Sequence, residues 1–214
     1  MSSEEKLKFV ERRSSYIKQK FRQALFFFKS KNESLNEKFT NNYKQTNLKH
    51  VEKMETQQQI WQNMTGKIFR NSITHLVEEA IIREQANGHL IKVCVGSDSH
   101  VYGDTINYAT AVVFIREGKG AFTFIRKERE IRKISIKERM LNEVNKSVEI
   151  AYAICSILEM YDVEMEVHAD INTDPEFKSN VALKDAMGYI LGMGYVFKAK
   201  PYAFASSNCA DMMV

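Results

Sequence analysis

The chain has 214 residues, 44% of them apolar and 27% charged, with a formal net charge of +4. That is enough chain to bury a core, and the mixture excludes a fibrous or wholly disordered polymer. The longest apolar stretches, Ala24–Phe28 and Ala109–Ile115, are too short to cross a bilayer, and Ser2–Lys8 is too charged for a signal peptide, so a cytoplasmic protein without a membrane partner is expected. Three scattered cysteines, Cys94, Cys155 and Cys209, give neither a disulfide framework nor a zinc ribbon.

The charge is unevenly placed. Residues 1–53 hold 13 Lys+Arg against 6 Asp+Glu, a balance of +7, and the remainder holds 18 against 21, a balance of −3. Residues 1–65 also lack Gly and Pro, which is not the composition of a flexible linker. Leu7, Val10, Ile17, Phe21, Ala24 and Phe28 recur at steps of three and four, so Ser3–Ser30 reads as a basic amphipathic helix. Residues 31–55, rich in Asn, Gln, Lys and Glu, read as weakly helical or partly disordered. Two domains follow: a basic arm at 1–65, suited to nucleic acid, to a homo-oligomer or to a larger assembly, and an αβ domain at 66–214.

A helix over Lys67–Gln85 is expected to stop at Asn87-Gly88. Leu90–Asp98, Asn107–Arg116 and Ala121–Arg129, separated by Tyr102-Gly103-Asp104 and Glu117-Gly118-Lys119-Gly120, read as a three-stranded antiparallel meander. Ser135-Ile136-Lys137-Glu138 is a capping box that opens a helix with Ile136, Met140, Val144, Val148, Ala151, Cys155 and Leu158 as its expected buried stripe. Val163–Asp170 alternates as a strand, most simply parallel to the first by a right-handed crossover. Asp174-Pro175 is expected to start a helix running to Gly192 or Gly194, Tyr195–Ala199 a fifth strand, and Ser206 or Ser207 to cap a last short helix carrying Asp211.

The resulting order, βββαβαβα, is the ribonuclease H-like topology: an α/β fold on a mixed five-stranded sheet with an N-terminal helical extension. Val95-Gly96-Ser97-Asp98-Ser99-His100, Gly118-Lys119-Gly120, Arg139 with Glu143, His168-Ala169-Asp170-Ile171 and Lys200-Pro201 followed by Ala205 to Asp211 together resemble the YkuK-type ribonuclease H-like family over roughly residues 69–214. Ser97 stands where that family usually has Thr, and Asn172 where relatives tend to have Gly.

Alternation puts Asp98 on the face of Cys94 and Gly96. If the first and fourth strands are parallel neighbours, Asp98 and Asp170 emerge at one edge of the sheet, and two adjacent carboxylates favour a divalent cation over mutual repulsion. The resemblance adds Glu143 and Asp211 as further ligands. The four would hold Mg2+ or Mn2+ as a pair of ions about 4 Å apart for phosphodiester hydrolysis of RNA or DNA. Lys200 would neutralise the scissile phosphate, and His100 or His168 would orient water or move a proton. Each acid has an ordinary alternative as a solvated turn or cap, and His168 as a packed histidine. A zinc site from Cys94, Cys209, His100 and His168 has no supporting local spacing. The competing function is a non-catalytic module of this fold that acts in an assembly through its arm.

Overall fold

The computed structural model describes residues 59–214; the helix expected at Ser3–Ser30 and the segment 31–55 lie outside the described residues. Three long strands form the middle of the sheet. β3 (Ile91–Tyr102), β4 (Thr105–Arg116) and β5 (Gly120–Ile131) make the expected meander, each reaching further than its apolar run because the polar ends also pair. The β3–β4 turn closes with Tyr102 opposite Thr105, and Gly103 supplies the left-handed conformation there, at φ 60°.

Two strands were not expected. β1 (Trp61–Gln62) and β2 (Ile68–Phe69) form a small hairpin that pairs through Gln62 with Ile125 of β5. The Asn63 carboxamide shapes its turn by accepting from the backbone N–H groups of Thr65 and Lys67. Trp61 is fully buried with the Arg126 guanidinium 5.8 Å from its ring centre. The folded unit therefore begins before residue 66, inside the segment that composition assigned to the arm. α1 is correspondingly shorter at its start, Ile73–Ala86, because Ser72 caps it by accepting from the His75 N–H.

α2 (Ile136–Met160) starts where the capping box puts it, with Ser135 Oγ accepting from Glu138 N–H at 3.1 Å. It crosses the sheet and returns the chain to β6 (Glu164–Ala169), parallel to β3. Asp174-Pro175 does not open a helix. The Asp174 carboxylate instead accepts from Glu176 N–H to make a turn, a 3-10 segment follows at Lys178–Ala182, and α3 occupies Leu183–Gly192. β7 (Val196–Lys198) adds in parallel to β6. The sheet thus has seven strands in the order β2-β1-β5-β4-β3-β6-β7, rather than five.

The two faces of β3 have different covers. Its odd residues meet α2, where Ser147 Oγ donates to Ser97 Oγ at 2.9 Å, and Ser97 in turn pairs with Thr110. Its even residues meet the terminal segment, a wide π-helical turn at Ala205–Ala210 followed by a 3-10 turn at Asp211–Met213. Cys94, Ala109, Ala111, Val113 and Ile125 form an apolar bed for Ala205 and Ala210. Approach is so close at Gly96 that a Cβ there would stand 2.5 Å from Ser206 N. Ser206 and Ser207 are not caps; both hydroxyls donate to the Ala203 carbonyl.

Candidate functional site

Asp98 lies on the even face of β3, beside Asp211 of the terminal segment. Only 7% of it is exposed. Burial, the neighbouring Asp170 charge and a hydrogen bond with Asp211 push its carboxyl from the ordinary 3.8 up to about 7, against one stabilising bond from the Ser99 N–H. Asp170 follows β6, which is parallel to β3, so the crossover does bring the two carboxylates to one edge. Lys200 Nζ stands 2.9 Å from Asp170 Oδ1.

Glu143 reaches the same place from α2 and is 2% exposed. Ser99 Oγ donates to its Oε1 at 2.6 Å, and Arg139 NH1, one turn earlier, lies 3.6 Å from that oxygen. Arg139 also donates to the Ser99 carbonyl and hydroxyl, so strand and helix are tied at the level of Asp98. Burial, with the Asp98 and Asp170 charges, raises the Glu143 carboxyl well above its ordinary range despite these bonds. Asp98, Glu143, Asp170 and Asp211 therefore form one electrostatic group, and the unfavourable interaction centres on Asp98.

A family model for ribonuclease H-like proteins matches residues 72–214. The chain belongs to the ribonuclease H-like family. No curated protein and no solved structure matches it.

In this ribonuclease H-like domain the other anticipated residues separate. His100 lies two residues beyond Asp98 on the same face, exposed, with its ring 4.8 Å from that of Tyr102. His168 has no exposed surface. Its Nδ1 lies 3.1 Å from the Ala205 N–H, which can only donate, so the ring proton sits on Nε2 and is given to Glu166 Oε2 at 3.2 Å. Burial also lowers the pKa of His168, favouring the neutral ring.

Among the described residues, the trio with ligand atoms all within 4.8 Å of one another is Cys94, Glu166 and His168; no three of the four carboxylates converge that tightly. Its chemistry does not suit a metal. Burial holds the Cys94 thiol protonated, pushed up to about 12. Lys92 Nζ already neutralises Glu166 at 2.7 Å, and a metal on His168 Nε2 would require either an imidazolate or loss of the Ala205 bond. His100 lies outside this trio, as does Cys209, so the four-residue zinc set is not assembled. The trio acts as an anchor: it presents His168 Nδ1 to the terminal segment, and that segment carries Asp211.

Ser99 and Gly96 are the residues whose part was not anticipated. Ser99 adjoins Asp98 inside the quoted motif, and the signal for Gly96 was its small size on the same face.

Proposed function

We propose that this ribonuclease H-like protein is a divalent-metal-dependent nuclease that hydrolyses nucleic-acid phosphodiester bonds. The observation that carries the reading is Asp98, buried among Asp170, Asp211 and Glu143 with its carboxyl pushed up to about 7. A buried acid surrounded by acids is a setting in which a bound cation would relieve the repulsion. Four carboxylate groups are the hard donor set that Mg2+ or Mn2+ takes; Asp98, Asp170 and Asp211, although less tightly gathered than the buried trio, would hold the ion, with Glu143 tied to Ser99 and Arg139. Bound there, such ions supply activation of water and neutralisation of phosphate charge.

The chain's own groups have separate tasks in this reading. Lys200, whose side chain is 41% exposed beside Asp170, is free to turn from that carboxylate to a non-bridging phosphate oxygen. His100 is exposed on the Asp98 face and serves as the proton carrier at the leaving oxygen. His168 is buried and acts only by holding Ala205.

The test is cleavage of single-stranded, duplex and hybrid oligonucleotides with Mg2+ or Mn2+ by the full chain and by Asp98→Asn. Loss of cleavage in the variant supports the reading, equal cleavage by both proteins overturns the catalytic assignment of Asp98, and no cleavage by the full chain with either metal overturns the nuclease reading.

A further inference from the structure

Register across the meander defines what continues from Asp98 along the open sheet. Cross-strand partners share a face. Asp98, Ala109 and Lys127 form one row; His100, Asn107 and Arg129 the next; Tyr102, Thr105 and Ile131 the last. The terminal segment covers the preceding row of Gly96, Ala111 and Ile125. Beyond it, His100, Lys127 and Arg129 are exposed and Tyr102 is 56% exposed. The two rings are in contact, with centroids 4.8 Å apart and planes 36° from each other.

The covered face of the same strands is charged quite differently. There Arg126 pairs with Glu128, and Lys146 pairs with Glu128 and Glu130. Lys127 and Arg129 have no ion pair among the described residues, and the Arg129 guanidinium bonds only to the Thr105 hydroxyl at 3.4 Å. Alternation along β5 has thus sorted the compensated charges to the helix side and two uncompensated cations to the side that bears Asp98. Along β3, His100 and Tyr102 lie about 7 and 14 Å from Asp98, at about 3.4 Å per residue.

We infer that His100, Tyr102, Lys127 and Arg129 form a binding platform for single-stranded nucleic acid, with unpaired bases stacked on the rings and backbone phosphates on the two cations. This rests on the nuclease reading for its place beside the site, and it adds the substrate class. Base faces are available to protein rings only when the bases are unpaired, so an exposed ring pair next to free cations selects a single strand over a duplex. Phosphate contacts by Lys127 and Arg129 give affinity without sequence preference.

The experiment is fluorescence anisotropy in EDTA, without cleavage, using the full chain and a short labelled oligonucleotide as single-stranded DNA, single-stranded RNA and duplex DNA. Tyr102→Ala is expected to weaken single-strand binding by about five- to one-hundred-fold and leave duplex binding unchanged, with Tyr102→Phe retaining the wild-type affinity. Lys127→Ala with Arg129→Ala is expected to lower the salt slope by about 1.4. Lys119→Ala with Lys184→Ala, the same charge change at two exposed positions elsewhere, is the control. A 2-aminopurine base placed in the strand should show a fluorescence change on binding that Tyr102→Ala abolishes.

The inference is overturned if Tyr102→Ala binds single strands as wild type does, if it weakens single strands and duplex equally, or if the Lys127/Arg129 pair behaves as the control. Asp98→Asn separates the two readings. It should retain single-strand binding in EDTA while losing cleavage, and full cleavage by it would refute the assignment of Asp98 to the metal site while leaving the platform intact.

Discussion

Asp98→Asn should stabilise the metal-free protein at alkaline pH, and the size of the effect follows from the structure. A carboxyl moved from 3.8 to about 7 corresponds to roughly 4 kcal/mol between its protonated and ionised forms. Because the folded-state value is the higher one, the folded protein holds this proton more tightly than the unfolded chain. The stabilisation is fully present below about pH 4 and is lost as pH rises through about 7. An amide in place of the carboxylate removes the charge at every pH. Chemical denaturation in EDTA should therefore give nearly equal stabilities for wild type and Asp98→Asn at pH 4, diverging to as much as about 4 kcal/mol in favour of the variant at pH 8. Added Mn2+ should reverse the order, because an ion that binds only the folded state stabilises wild type through a ligand the variant lacks. Parallel pH profiles for the two proteins would refute the reasoning, since they would mean that Asp98 ionises in the fold as freely as in the unfolded chain.

Three further outcomes are expected. Gly96→Ala should cost about 1–3 kcal/mol by denaturation and expose the terminal segment to proteolysis, because its Cβ would meet Ser206 N at 2.5 Å; an unchanged protein would mean that the segment does not rest there. His168→Asn places an amide oxygen near Nδ1 and should keep the Ala205 amide protected from hydrogen exchange, whereas His168→Ala should lose that protection and about 1–3 kcal/mol. Cys94, buried and with its thiol pushed up to about 12, should resist alkylation of the folded protein at pH 8 and react only on unfolding, as peptide mapping would reveal.

The middle of this fold was legible because its elements carry strong periods. Alternation alone put Asp98 with Cys94 and Gly96, and the register agrees. Ser135 marked the start of α2, since a cap is a local device whose partner, the Glu138 N–H, lies three residues away. What escaped the sequence was set by distant contacts. β1 and β2 have two residues each, too few for any period, and exist because Trp61 is buried and Gln62 finds Ile125. The terminal segment takes its π-helical form on the bed of Gly96, Ala109 and Ala111, a surface more than ninety residues earlier in the chain. At the candidate site, the carboxylates were visible as residue types, but Glu143 and Glu138 differ only in burial. A pattern of helical spacing does not reveal that Ser99 and Arg139 wait for one of them.

The charges around Asp98 set how many ions the free protein should hold. Once a cation has displaced their protons, the four carboxylates contribute a formal −4, and among the described residues the cations within ion-pair reach are Lys200 at Asp170 and Arg139 at Glu143. The remainder, −2, equals the charge of one divalent ion. A second ion in the absence of substrate would leave the buried site with +2, which is as unfavourable there as the original excess of negative charge. A phosphodiester brings negative charge of its own and makes the second ion tolerable. In the proposed reading, calorimetry on the free protein should therefore detect one Mn2+, with an affinity that rises towards pH 7 as the Asp98 proton is displaced, and a second only in the presence of a non-cleavable oligonucleotide. Lys200→Ala, which leaves −3, should tighten the first ion. Two equivalent ions in the free protein, or none, would refute this charge balance.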